Sequence, residues 1–370
     1  MNALKELTHI INKDKKTATY KFALIRGVIE SIHKYDHYCQ IKDKKVSLPL
    51  GLMTLLWIKY YYPILSYKIN IPQTTNPKLS FNDELKEVIK HYDKAIGYHD
   101  LIKQLNKGNC PESIADKIIA LVKKINSTIS RYPMQLIGES VGRQGEIFVY
   151  NEDRDYRKLN KNNLSINTII KYCGTYTIDI DYYDTYKLLG AFINGENAIV
   201  FQWIDFSYRL MKDTSINKSE LFSIINTYDE TKRTTTEATK FFTTNINKNE
   251  IKCIWSGKTI SKDLNIDHII PFSLWGNNDL WNLLPSKAKV NGSKRDRIPK
   301  SSLLNKQKHE ILKYWKLLHS HYPDRFTNEI THALCGEISE DKNLFEQSFD
   351  GLKAKCEFLI SEQGYDSWML

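Results

Sequence analysis

Between Cys253 and Lys300 the chain reads CIWSGKTISKDLNIDHIIPFSLWGNNDLWNLLPSKAKVNGSKRDRIPK. No other stretch constrains the local fold so tightly. Ile266, Ile269 and Ile270 flank two polar residues, Asp267 and His268, and Pro271 closes the run. That is an apolar strand interrupted by a polar pair. Gly276, Asn277 and Asn278 read as a turn. Leu280 to Leu284 is a second apolar segment with one asparagine, Asn282, inside it. Lys287, Lys289, Asn291, Lys294, Arg295 and Arg297 follow on a short helix and its end. The spacing predicts strand, loop, strand, helix.

These residues suit phosphodiester hydrolysis, which needs an attacking water, charge relief on the phosphate and help for the leaving oxygen. A neutral His268, with a pKa of about 7, can take the proton from water. Asp267 and Asn291 offer hard oxygen ligands suited to Mg²⁺. An ion between them and the scissile phosphate would stabilise the departing 3′ oxygen. Neighbouring side chains on a strand point to opposite faces. Asp267 and His268 therefore serve together only if the backbone twists or bulges, or if they act from opposite sides of the metal and phosphate. Lys287, Lys289, Lys294, Arg295 and Arg297 are candidate nucleic-acid contacts, with Lys294 and Arg295 gripping flanking phosphates.

The stretch resembles the HNH (ββα-metal) endonuclease superfamily. It most resembles the variant whose last ligand is Asn, found in bacterial restriction and defence HNH endonucleases and in the HNH domain of CRISPR effector nucleases of the Cas9 type. The family's Asp-His-Ile-x-Pro falls on Asp267, His268, Ile269 and Pro271. The resemblance implies that Asp267 binds the metal, with Mn²⁺ an alternative to Mg²⁺, and that His268 is the general base. Asn282 falls on the central Asn, which supports the loop and orients the histidine. Asn291 falls on the last ligand, with Lys294 completing Asn-x-x-Lys. Many members hold a structural zinc with paired Cys-x-x-Cys. Here Ser256 stands where the partner of Cys253 would be, so no structural zinc is expected. The module must then rest on its core, with Ile254, Trp255, Leu264, Phe272, Leu274, Trp281 and Leu283 as contributors. Trp275 or Trp281 could instead stack on a base. TYKFALIRGVIE and WIKYYYPI…IPQ also resemble stretches of bacterial HNH restriction or defence endonucleases, without assigning roles to residues.

The chain before the module is predicted helical at first. Phe22, Ile25, Val28, Ile29 and Ile32 share a helical spacing, with Thr17 or Thr19 as cap. Pro49 starts a second apolar helix that Pro63 should end or kink. Its Tyr60, Tyr61 and Tyr62 fill a core or offer rings and hydroxyls to a ligand. Residues 69–80 form a linker or an ordered loop. Two more helices run to about Ile129. Near Tyr132 the pattern changes, with a strand over Glu146 to Tyr150 and a short helix within Leu159 to Tyr172. TYTIDIDYYDTYKLLGAFI is ambiguous, and NAIVFQWIDFSYRLM begins as a strand. Asp179, Asp181 and Asp184 are either solvated or a second metal site. The fold class is α+β, divided as a helical domain over 1–131, a mixed α/β region over 132–245, a zinc-less ββα-metal module over 246–325 and a C-terminal extension with further helix over 326–370.

Charge and cysteines bound the setting. Lys and Arg exceed Asp and Glu by ten, which favours a polyanionic partner. The six cysteines are scattered without a Cys-x-x-Cys, as expected of free thiols in a reducing cytoplasm. No signal peptide or membrane span is expected. The resulting expectation is a cytoplasmic, Mg²⁺-dependent DNA endonuclease of restriction or anti-phage defence, nicking or cutting both strands. It would work as a homodimer or with a partner protein. The alternatives are an RNA-directed nuclease of the same chemistry and a nucleic-acid-binding scaffold subunit with a degenerate HNH fold.

Overall fold

The computed structural model describes the chain apart from residues 1, 93–96, 109, 152, 195–198, 212–214, 227–232, 246–250, 262, 277 and 337–342. Its elements gather into two compact units, Met1–Tyr228 and Asp229–Leu370. No helix among the described residues is long and apolar enough to cross a membrane.

The first unit opens with α1 (Asn2–Lys13) and α2 (Tyr20–Lys34), a hairpin of β1 (Gln40–Lys42) and β2 (Lys45–Pro49), and α3 (Leu50–Ser66). Then come α4 (Asn82–Tyr92), α5 (Gly97–Lys107), α6 (Glu112–Arg131) and the single turn α7 (Pro133–Leu136). β3 (Val149–Asn151), α8 (Ile166–Tyr172), β4 (Thr175–Asp179), α9 (Ile180–Asn194), α10 (Ile199–Leu210) and α11 (Lys218–Asn226) complete it. Helix α3 is apolar on every side and so is buried on every side. Tyr60, Tyr61 and Tyr62 are all enclosed, so they fill core and present no platform. Pro63 does not end the helix, which runs on to Ser66. At Gly51 a Cβ would stand 2.2 Å from the Ile169 carbonyl oxygen, so only glycine lets α3 approach α8 so closely.

Thr19 precedes α2, but its hydroxyl does not cap it. It meets Tyr61 at 2.8 Å and Gln73 at 3.2 Å. Gln73 Oε1 also accepts from Trp203 Nε1 at 2.7 Å, and Gln73 Nε2 donates to Ser207 Oγ at 2.9 Å. Buried polar groups need such partners, and this network seats Gln73 in the core while residues 75–78 of the loop stay exposed.

One antiparallel sheet runs in the order β1-β2-β4-β3, with Val46 opposite Ile178 and Leu48 opposite Tyr176. These four side chains are buried. The sheet crosses the boundary that the sequence places at Tyr132, because β2 pairs with β4. A single hydrophobic core accordingly runs from Ala3 to Ile225 and joins the two expected regions. The initial segment also contains strand, which the sequence reading lacks. TYTIDIDYYD splits into β4 followed by α9, and the described part of NAIVFQWIDFSYRLM is helix. Asp179 pairs with Lys45 and, at 3.4 Å, with Arg143, as a structural carboxylate does.

The second unit holds α12 (Thr236–Asn245), β5 (Leu264–His268), the single turn α13 (Phe272–Trp275), β6 (Leu283–Lys287) and α14 (Ala288–Lys294). β7 (Ile298–Pro299), α15 (Ser301–His321), α16 (Pro323–Ile330), α17 (Leu344–Ser361) and β8 (Ser367–Trp368) follow. Its separate core includes Ile254, Trp255, Trp281, Leu283 and Trp315. Trp281 is fully enclosed, and Trp315 Nε1 donates to its carbonyl at 2.8 Å, so it cannot stack on a base. Leu264, Phe272 and Leu274 are only partly buried. The expected boundary after residue 325 falls inside α16. β8 pairs in parallel with β7, and α17 shares the unit's core, so the tail belongs to this unit. The boundary expected at 245/246 also fails, because Ala238, Phe241 and Phe242 of α12 lie before it and yet pack in this unit's core.

Candidate active site

β5 and β6 pair antiparallel, with Asp267 opposite Leu284 and His268 opposite Leu283, and α14 follows β6 directly. Strand alternation sends Asn265 and Asp267 to one side of β5 and Ile266 to the other. The first side meets α14. Asn291 Nδ2 donates to Asn265 Oδ1 at 3.1 Å and to the Ile266 carbonyl at 3.5 Å. Lys294, one turn on, lies 3.4 and 3.3 Å from the two oxygens of Asp267. Residues three apart share a helix face, so α14 delivers both side chains to β5.

Asp267 is buried, and Trp255 Nε1 donates to its Oδ2 at 2.6 Å. Burial raises its pKa, opposed by the Lys294 cation and the Trp255 bond. Lys294 is itself enclosed, and burial lowers its pKa against the pull of Asp267. Its ammonium also donates to the His268 carbonyl at 2.7 Å. Contrary to the sequence expectation, Lys294 is therefore no surface grip for a flanking phosphate. It ties Asp267 to the end of β5.

His268 is only 1 % exposed. Its Nε2 lies 3.4 Å from Asn278 Oδ1, which also accepts the Thr234 N–H at 2.9 Å. The Phe272 ring stands edge-on at 5.5 Å. Nδ1 is buried and has no hydrogen-bond partner among the described residues. A proton on Nε2, toward Asn278, leaves the Nδ1 lone pair available. Burial, followed by the Arg233 cation, lowers the pKa to about 4, well under the value of about 7 expected from sequence. The imidazole is neutral at pH 7.

Asn282 behaves differently from Asn291. Its Oδ1 accepts the Ile270 N–H at 2.8 Å, and its Nδ2 donates to the Ile270 carbonyl at 2.9 Å. Its own carbonyl accepts the Ile269 N–H at 2.9 Å. The side chain stitches the loop after β5 and reaches the chemistry only through that loop. Arg297 donates to the carbonyls of Lys294, at 3.3 Å, and Ser293, so it caps α14. Lys289 and Arg295 are exposed, and Lys287 is half-buried. Asn277 lies outside the described residues.

A family model described as a domain of unknown function (DUF8808) matches residues 1–225 of the 370. The chain belongs to that family. A second model, described as HNH endonuclease, matches residues 253–300. That stretch is an HNH-superfamily module of nuclease type. No curated protein and no solved structure matches the chain.

Among the described residues, no group of three or more His, Cys, Asp or Glu is gathered to hold a metal ion. A Mg²⁺ ion needs fewer protein ligands, because it keeps several waters and uses one or two carboxylates with substrate phosphate. Asp267 and Asn291 fit that requirement in kind. Asp267 offers a carboxylate, and the amide N–H groups of Asn291 point at Asn265 and Ile266, leaving its carbonyl oxygen for another partner. Lys294 already supplies positive charge to Asp267, so an ion there would share the carboxylate with an ammonium. In the Cys253 turn, Gly257 N–H bonds the Cys253 carbonyl at 2.8 Å, and Cys253 Sγ lies 3.7 Å from Ser286 Oγ. Hydrogen bonds hold this turn together.

Sequence reasoning passed over Asn265, Arg233 and the contact of Asn278 with His268. Asn265 had a readable signal, since it stands two residues before Asp267 and so on the same strand face. Arg233 had none, because only the fold brings it near the module.

Proposed function

We propose that the chain is a Mg²⁺-dependent endonuclease that hydrolyses phosphodiesters of DNA. It would be an Asn-ligand, zinc-less HNH enzyme of bacterial restriction or anti-phage defence, working in the cytoplasm. The observation that carries this reading is the convergence of α14 on the end of β5. Asn291 and Lys294 reach the strand face that bears Asp267, while Nδ1 of the next residue, His268, has no hydrogen-bond partner among the described residues. Asp267 and Asn291 would hold the ion, which would neutralise charge on the phosphate and the leaving oxygen. His268 Nδ1 would take the proton from the attacking water, with Asn278 holding Nε2. A phosphate anion beside the ring would raise the lowered pKa of His268 toward the working range. Asn282 would fix the loop that follows the base. Exposed Lys289 and Arg295 would meet the backbone, supported by the net charge of +10. One such site cuts one strand, so duplex cleavage would need a dimer or two nicks.

A binding-only role is favoured by one observation, the Lys294 ammonium seated on Asp267. Incubation of supercoiled plasmid with the full chain and Mg²⁺ separates the readings. The expected result is nicked or linear product, abolished by EDTA and by His268→Ala, with DNA binding retained by that variant. Binding without Mg²⁺-dependent cleavage would support the scaffold reading. Cleavage confined to an RNA substrate would support the RNA-directed alternative.

A further inference from the structure

We propose that Asn265 is a positioning residue that, together with the Ile266 carbonyl, holds the Asn291 amide with its oxygen left to face Asp267. This rests on the reading that Asp267 and Asn291 hold a divalent cation. A primary amide can sit in either of two orientations of nearly equal shape, and only one presents its oxygen to a cation. Here the two N–H donors of Asn291 have two acceptors, Asn265 Oδ1 at 3.1 Å and the Ile266 carbonyl at 3.5 Å.

The backbone explains why the second acceptor is there. Pro285 stands opposite Ile266 and turns its own carbonyl outward, to the Ile254 N–H at 2.8 Å. Such a pair exchanges no ladder bonds, so the Ile266 carbonyl also points away from β6. It meets Asn291 only at the long limit of a hydrogen bond. Asn265 supplies the shorter contact, and strand alternation puts it beside Asp267 on the side that meets α14. Reversing the Asn291 amide would set its oxygen against the Ile266 oxygen and turn its N–H groups toward the cation position. Asn265 and Ile266 together therefore spend the amide's donors and leave its oxygen as the ligand.

The test is equilibrium Mn²⁺ binding to the full chain, read from the free-ion electron paramagnetic resonance signal. Asn265→Leu keeps the volume and removes the acceptor, and Asn265→Asp keeps an acceptor. Loss of an outer partner of a ligand typically costs roughly 10- to 100-fold in metal affinity. Asn265→Leu is expected to weaken Mn²⁺ binding by that factor, while Asn265→Asp binds at least as tightly as the unaltered chain. Unaltered affinity in Asn265→Leu, or equal losses in both variants, overturns the proposal. Thermal unfolding checks that each variant is folded. Asn265→Ala, at this half-buried position, replaces the leucine variant if that one does not fold, with the same outcomes. Asp267→Asn is measured alongside. If it binds Mn²⁺ normally, the metal reading itself fails. If it loses binding while Asn265→Leu does not, only the role of Asn265 fails.

Discussion

A lysine and an aspartate buried together cost much to desolvate, and removing one partner leaves the other charge uncompensated. Lys294 and Asp267 are both enclosed in the second unit, and the ammonium also serves the His268 carbonyl. Lys294→Met keeps most of the volume and removes the charge. It should destabilise the second unit by roughly 3 kcal/mol, the usual scale for a broken buried pair. Urea unfolding followed by tryptophan fluorescence reads this, and a loss below about 1 kcal/mol would show that Asp267 finds another partner. The direction of Lys294 was not legible in the sequence, because a lysine among basic residues reads as surface. Of the three asparagines, Asn282 shows its burial through the apolar run around it and Asn265 its strand face through its spacing from Asp267, but none shows its partner. What separates them is where their amides bond: Asn282 to the Ile270 backbone, Asn265 and Asn291 to each other. The Asp-His pair stood out because two charged or polar residues in an isoleucine-rich strand need a reason to be there.

The turn that ends α14 holds an element-level tension. Arg295 has φ 55° and ψ −126°, and the Arg297 N–H closes the turn onto the Lys294 carbonyl at 3.2 Å. Glycine is favoured at such a position, and other residues are held there at a cost of about 1–3 kcal/mol. Arg295→Gly should raise the stability of the second unit by about 1 kcal/mol. It should also weaken DNA binding and reduce its salt dependence by about one phosphate contact. Arg295→Lys should keep both the strain and the salt dependence. Chemical unfolding and a salt titration of DNA affinity check the pair, and unchanged DNA affinity in Arg295→Gly would remove Arg295 from the interface. A similar turn explains a missed element. The β1–β2 hairpin turns at Asp43 and Lys44, with φ 49° and 60°, without the glycine that marks such turns in sequence. Its short strands carry little periodicity. α2 and α3 were legible because long apolar patterns fix helices. The start of α10 reads as strand in the sequence because a short apolar run fits strand and buried helix alike.

Each unit has its own hydrophobic core, and the first crosses a line that composition alone suggests. The change of pattern near Tyr132 is real in the sequence, but β2 and β4 come from either side of it, and strand pairing over such a separation leaves no local trace. The first unit also buries a charged group that makes it sensitive to acid. Glu30 on α2 accepts from Lys59 at 2.6 Å and from the Tyr60 hydroxyl at 2.8 Å, with Lys34 at 3.5 Å. Burial works against the carboxylate, but Lys59 and then Lys34 outweigh it and hold its pKa well below the usual carboxylate range. The unfolded chain then binds more protons than the folded one as pH falls below the ordinary glutamate value of about 4.5. The Glu30 contribution is therefore complete at neutral pH and is lost progressively as the medium is acidified through the folded pKa. Glu30→Gln should lower the stability of the first unit at pH 7 by roughly 3 kcal/mol, since the buried cluster loses the carboxylate that Lys59 and Lys34 face. It should also flatten the decline below about pH 4.5. The second unit, which has a separate core, should be unaffected by the substitution. Urea unfolding across a pH series, with probes that resolve the two units, measures all three effects. Parallel pH profiles for the variant and the unaltered chain would mean that other carboxylates carry the acid sensitivity.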